Sequence, residues 1–127
     1  MERQQALIAL QALANAARLD LLRLLMAKGK AGLAAGEIGQ CLGHSPSRLS
    51  FHLNQLEQAG LIQSRRDSRN VFYSADPAGL GGVLSYLLND CCMDHPEVIA
   101  CCAGAARRAV QVSLDPVPDE SGGMAAP

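Results

Sequence analysis

Two cysteine pairs, Cys91-Cys92 and Cys101-Cys102, place four thiols within twelve residues of an acidic stretch that also holds Asp90, Asp94, His95 and Glu97. Adjacent Cα atoms lie about 3.8 Å apart across a trans peptide, below the separation of about 4.4 to 6.8 Å that a disulfide needs. Neither pair is therefore suited to bridging internally, and four thiols ask for another partner. A soft, thiophilic ion fits that demand, because thiolates select ions by softness and geometry. Trivalent arsenic or antimony takes three sulfurs in a pyramid, whereas zinc takes four ligands in a tetrahedron.

Geometry limits how these sulfurs gather. Consecutive residues on an ideal helix point about 100° apart, so Cys91 and Cys92 face one ion only where a helix end loosens. Pro96 places such an end nearby. A third sulfur then comes from Cys101 or Cys102, if the chain reverses through Met93-Asp94-His95. Three other uses stay open for the thiols: zinc or cadmium binding with His95 as a substitute ligand, oxidant or persulfide sensing through a Cys92–Cys101 type bridge, and packing as small apolar fillers. Catalysis by a cysteine nucleophile is disfavoured, since there is no Cys-x-x-Cys and His95 is the sole histidine close by. The chain reads as no enzyme, with no catalytic cofactor.

The elements that must position these thiols follow from periodicity. The 127 residues suit one domain over 1–112 and a disordered Pro/Gly/Asp-rich tail over 113–127. Leu7, Leu10 and Ala14 share a face of a first helix at about 4–14; Asn15 caps a second at about 16–28, which Gly29 stops. A third helix spans about 34–42. Ser45 and Pro46 open a fourth, which runs to Ala59 with Leu49, Leu53 and Leu56 inward and Ser47, Phe51, Asn54, Gln55 and Gln58 roughly outward. Two short strands, 61–66 and 70–74, join through the basic tip Asp67-Ser68-Arg69. A fifth helix at about 77–92 and a sixth at about 96–112 complete the set. Cys41, alone in the third helix, is expected in the core, and Arg18 is expected to be structural.

Charge is split along this order. Residues 1–75 carry a balance of +4 and residues 76–127 one of −5, within a net charge of −1. The first part is fit to approach a polyanion. The start has no secretory pattern and no stretch nears the roughly 18 apolar residues of a membrane span, so a reducing cytoplasm and no membrane are expected.

Two helices joined by a short turn and followed by a basic hairpin form a winged helix-turn-helix, a mainly α fold of about five to six helices plus a two-stranded wing. The second helix of such a pair fits the major groove, and the hairpin's arginines reach backbone or minor groove. Residues 13–75 resemble the arsenic-repressor (ArsR) family at three successive points. These are Leu13-Ala14-Asn15-Ala16-Ala17-Arg18-Leu19-Asp20-Leu21-Leu22, with Asn15-Ala16 where Asp-Pro is frequent; the run from Ser45 to Ile62; and Arg65-Arg66-Asp67-Ser68-Arg69-Asn70-Val71-Phe72-Tyr73-Ser74. The resemblance implies a homodimeric repressor that leaves double-stranded operator DNA on binding a toxic metal or metalloid. Carried onto this chain, Ser47, Arg48, Ser50, Phe51, His52 and Gln55 are groove and phosphate candidates, with Arg65, Arg66 and Arg69 on the wing; a packed His52 and a solvated wing are the plainer alternatives.

Asn89-Asp90-Cys91-Cys92 is similar to the arsenite site at the end of the fifth helix in some members. Here the next cysteine follows nine positions on rather than a few, which leaves Cys101 and Cys102 both eligible. The combined expectation is a repressor released by As(III) or Sb(III) at Cys91, Cys92, Cys101 and Cys102, with redox, persulfide or Zn/Cd sensing on the same fold as the alternative.

Overall fold

The computed structural model describes residues 1–112, with side chains described for residues 1–104. Its elements run α1 (Arg3–Leu13), α2 (Ala16–Lys28), a 3₁₀ turn (Gly29–Ala31), β1 (Leu33–Ala34), α3 (Ala35–Leu42), α4 (Pro46–Gln58), β2 (Ile62–Asp67), β3 (Asn70–Ala75), α5 (Pro77–Tyr86), a π-helical turn (Leu87–Cys91) and α6 (Pro96–Val112). The expected tail over 113–127 lies outside the described residues. The winged helix-turn-helix expectation holds, with one addition. β1, too short to show a period in the sequence, pairs antiparallel with β3 (Leu33 opposite Tyr73) and makes the sheet three-stranded in the order β1-β3-β2.

Among the described residues, Met1–Leu87 forms one compact unit and residues 88–112 belong to a second. In the first unit a core of Leu21 and Leu25 from α2, Ile38 from α3, Leu49, Leu53 and Leu56 from α4, Leu61 and Val83 is shut away from water. Each such side chain contributes about 1.5–3 kcal/mol through burial, so α4 is held mainly by its three leucines. Local chemistry sets the ends of α4. Ser45 Oγ accepts from the Arg48 backbone N–H, and Pro46 occupies a position that needs no hydrogen-bond donor.

Expectations about the face of α1 and about Cys41 are corrected, and α2 shows its own buried side. Helix α1 buries Ala6, Ala9 and Ala12, leaving Leu7 45% exposed; several faces of an apolar helix satisfy the same spacing, and small residues allow the closest approach. In α2, Leu19 is exposed while Leu21, Leu22 and Leu25 are buried. Cys41 is exposed, not in the core, because Ile38 and Leu42, one turn apart, take the inward side of the short α3. The fifth helix also ends sooner than expected. Regular α geometry stops at Tyr86 and widens into the π turn that ends at Cys91.

Two glycines with positive φ make separable demands. Gly43, φ 70°, ends α3 in open space; Gly32, φ 68°, lies against the Tyr73 carbonyl where a Cβ has no room. Gly43→Ala should therefore cost about 1–2 kcal/mol of unfolding free energy in urea, the backbone penalty alone, and Gly32→Ala clearly more. Equal losses would contradict the close approach of β1 to β3.

Candidate nucleic-acid interface and thiol segment

Inward leucines on α4 dictate what faces out. Ser47, Arg48, Ser50, Phe51 and Asn54 are exposed and Gln55 is half-buried. Phe51, 56% exposed, is an unusually large apolar group for a free surface and suits contact with a thymine methyl; the serines and Arg48 suit base edges or phosphates.

His52 does not share that face. It stands one turn from both Leu49 and Leu56, is 7% exposed, and its Nδ1 lies 3.1 Å from an Arg18 guanidinium nitrogen. Arginine only donates, so Nδ1 is the acceptor and the neutral ring carries its proton on Nε2. The same Arg18 donates from Nε to the Ala12 carbonyl at 2.6 Å, and its backbone N–H bonds the Asn15 cap at 3.1 Å. Burial first, then the positive charges of Arg18, and of His44 and Arg48 when charged, hold the His52 pKa below the usual 6.5. The groove contact expected of His52 is replaced by an internal bond, for the simple reason that its helical position belongs to the leucine face.

The wing divides its arginines. Arg65 crosses to the 3₁₀ turn, donating to the carbonyls of Lys30 and Ala31 at 3.4 Å each, and its guanidinium lies 5.2 Å from the Phe72 ring centre. These contacts link the hairpin to the 3₁₀ turn while the side chain remains exposed. Arg66, one residue on, lies on the opposite face of β2, the face it shares with Ser64, and Arg69 is at the tip next to Ser68, whose φ is 58°. Both are exposed. Ser64 Oγ donates to Glu57 at 2.6 Å and so ties β2 to the end of α4. Glu57, with burial as the larger cause, also raises the Tyr73 pKa. The sequence offered no sign of this Glu57–Ser64 tie, which exists only once strand and helix are packed.

In the second unit the backbone reverses between the two cysteine pairs. Met93 and Asp94 both take positive φ, Asp94 N–H bonds the Leu88 carbonyl and His95 N–H the Cys92 carbonyl. His95 Nδ1 then accepts from the Glu97 N–H at 3.2 Å and caps α6. Cys91, Cys101 and Cys102 are exposed and Cys92 is half-buried. The Cys92 thiol pKa is raised by desolvation, by the charge of Cys91 and a hydrogen bond with it, and by Cys102. Thus Cys92 meets Cys91 directly and lies within electrostatic reach of Cys102. Among the described residues no three His, Cys, Asp or Glu side chains stand already assembled as a metal site.

These features define a DNA-reading fold with a thiol-bearing segment beyond it. Residues 13–65 match a helix-turn-helix domain family. The chain is 35% identical over 89 residues to the HTH-type transcriptional regulator YgaV of Escherichia coli K12, covering 70% of this chain and 88% of that one. It is 32% identical to the transcriptional activator HlyU of Vibrio cholerae over 65% of this chain and 74% of the other. Among solved structures, a possible transcriptional regulator for arsenical resistance is 30% identical with a TM-score of 0.54, over 62% of this chain and 79% of that one. The homodimeric winged helix-turn-helix DNA-binding domain of a possible ArsR-family regulator from Mycobacterium bovis is 30% identical with a TM-score of 0.55, over 72% and 80%.

The chain belongs to the ArsR-type helix-turn-helix transcriptional regulators, a family of DNA-binding proteins and not of enzymes. No helix among the described residues is long and apolar enough to cross a membrane.

Two outcomes follow from the geometry. Arg66→Ala should weaken binding to any duplex and reduce the salt slope by about 1, while Arg65→Ala should instead lower the unfolding midpoint; the reverse assignment would contradict the wing described. The His52 ring, followed by NMR, should titrate below 6.5. The folded chain then binds fewer protons than the unfolded one just below that pH, so this contribution to stability is full above about 6.5 and is lost as pH falls through the folded pKa. An inflection at or above 6.5 would contradict the internal bond.

Proposed function

We propose that this protein is a cytoplasmic homodimeric repressor that holds double-stranded operator DNA through α4 and the wing, and that trivalent arsenic or antimony releases it by binding the thiols of the second unit. The observation that carries the effector is the arrangement around Cys92: a thiol in contact with Cys91 and in reach of Cys102, at a chain reversal. Of the two later cysteines, Cys102 is the better third ligand, and Cys101 its neighbour in reserve.

The proton balance of arsenite exchange suits thiols at neutral pH. Arsenous acid condenses with thiols as As(OH)₃ + 3 RSH → As(SR)₃ + 3 H₂O, each thiol proton leaving on a hydroxide as water. A raised thiol pKa is compatible with that exchange. Zinc binding instead releases the thiol protons to solvent and takes four ligands in a tetrahedron, drawn from the cysteines and His95. The structural relative described as a possible regulator for arsenical resistance supports the same assignment.

The dimer rests on apolar surface left uncovered where α1 meets α5. Leu7 and Ile8 on α1 and Leu84 on α5, the last 52% exposed, provide apolar area for a second copy. The homodimeric relative supports that reading. Release then follows from coupling: gathering three sulfurs changes the preferred spacing of the two reading units, and a coupling of about 1–3 kcal/mol weakens binding roughly 5- to 150-fold.

The test is titration of the protein on a duplex selected from a random library, with arsenite, antimonite, zinc, cadmium and peroxide at one fixed salt concentration. Arsenite or antimonite should release the duplex, Cys92→Ser should abolish release, Cys102→Ser should weaken it more than Cys101→Ser, and Cys41→Ser should leave it unchanged. Release by peroxide or zinc alone, or unchanged arsenite release after replacing all four of Cys91, Cys92, Cys101 and Cys102 by Ser, would overturn the proposal.

A further inference from the structure

The Arg18–His52 bond spans 34 residues and joins two elements with different tasks. One end sits at the α1–α2 corner, where Arg18 also holds the Ala12 carbonyl; the other sits inside the helix whose outer face carries Ser47, Arg48, Ser50 and Phe51. The leucine stripe sets which face of α4 turns inward, but apolar contacts are non-directional and tolerate small rotations about the helix axis. A directional bond one turn from Leu49 and Leu56 limits such rotations. Phe51, on the reading face, packs edge-on against the same ring with centroids 5.6 Å apart, so any displacement of His52 is felt there.

We propose that the Arg18–His52 bond positions the reading helix for DNA, and that it does so only while the His52 ring is uncharged, which makes DNA binding acid-labile. Protonation puts a hydrogen on Nδ1, removes its acceptor, and sets a cation against the guanidinium. The groups facing the ring reinforce this. Arg18 from α2, His44 from the turn before α4 and Arg48 from α4 itself all oppose a positive charge, while Asp20 of α2 is the acidic residue among those lining the adjoining cleft. His44, whose ring centre is 6.0 Å from that of His52, is not bonded to Arg18 in its place.

This inference rests on the DNA-binding part of the proposed function and not on the metalloid. Its sign separates it from direct contact. A histidine that touches phosphate or lies in the groove gains attraction for DNA when it is protonated; a positioning histidine that loses its bond lowers affinity. The variant His52→Asn puts a non-titrating oxygen close to where Nδ1 stands and keeps an acceptor for Arg18. His52→Leu keeps the packing and removes the acceptor.

The experiment reads the His52 inflection in the free chain by NMR, then measures binding of the full chain to the library-selected duplex at pH 7.5 and at one pH unit below that inflection, at constant ionic strength and without arsenite, with circular dichroism at both pH values to confirm folding. On acidification the wild type should lose up to about tenfold in affinity relative to His52→Asn, the limit reached when about nine in ten rings are charged and the charged form does not bind. His52→Asn should match the wild type at pH 7.5, and His52→Leu should be weaker at both. A wild type that falls no more than His52→Asn, or binds more tightly than it at the lower pH, would overturn the inference. So would a His52→Asn chain that folds but binds as weakly as His52→Leu at pH 7.5. Loss of all binding by the wild type at pH 7.5 would overturn the DNA-binding reading together with this one, whereas insensitivity to arsenite would leave it standing.

Discussion

The arrangement of the reading unit depends on one side chain that can only donate. Arg18 reaches the end of α1 through the Ala12 carbonyl and the interior of α4 through His52, while its own backbone N–H is capped by Asn15. A partly buried guanidinium needs acceptors for its charge-assisted bonds, and it finds one in the backbone and one in a ring kept neutral by its surroundings. The leucine stripe turns His52 inward and Phe51 outward, and the bond to Arg18 ties that inner face of α4 to the corner between α1 and α2. At the other end of α4, Glu57 performs a comparable task by accepting from Ser64 of β2. The reading helix is thus tied at two levels, to the helical corner and to the wing.

Below Leu87 the physical character of the chain changes. The first unit is closed around leucines, whereas the described side chains of the second are nearly all exposed, with Cys92 and Gly104 among those partly covered beyond Leu88. What orders the reversal is backbone bonding and two residues with positive φ, Met93 and Asp94. Such conformations cost on the order of 1 kcal/mol or more for side chains of this kind and persist when neighbouring bonds fix them. Few buried apolar contacts and an exposed backbone are the marks of a segment that rearranges at low cost. A π turn leading into it, at Leu87–Cys91, is a local departure of the kind often found at functional sites.

Much of this was legible in the sequence because the signals were local. Asn15, Gly29, Ser45 and Pro46 fix helix ends by their own chemistry, and the observed α2 and α4 begin and end within a residue of where those residues place them. The change of period after Gly60 gives the wing, and Pro96 gives the start of α6. What could not be read was long-range. β1 is two residues of ordinary composition that become a strand only beside β3, and the choice of Ala6, Ala9 and Ala12 over Leu7 as the buried side of α1 depends on what packs there. Arg18 and His52 each had a plain structural reading, but their partnership across 34 residues has no sequence signature. Cys41 illustrates the limit from the other side: a cysteine alone in a short helix looks apolar, and the register of Ile38 and Leu42 puts it outside. The four remaining thiols were conspicuous from the start, and the fold adds the chain reversal at Met93 and Asp94 between the two pairs.

DNA binding by this fold depends on which side of α4 meets nucleic acid, and a structure of the full chain bound to a DNA duplex measures that directly. It should show Ser47, Arg48, Ser50 and Phe51 against bases and phosphates of one major groove, Arg66 or Arg69 on the flanking backbone, and His52 still bonded to Arg18 beneath the helix. A complex in which His52 has left Arg18 to touch a base, or in which α4 lies away from the groove, would contradict it.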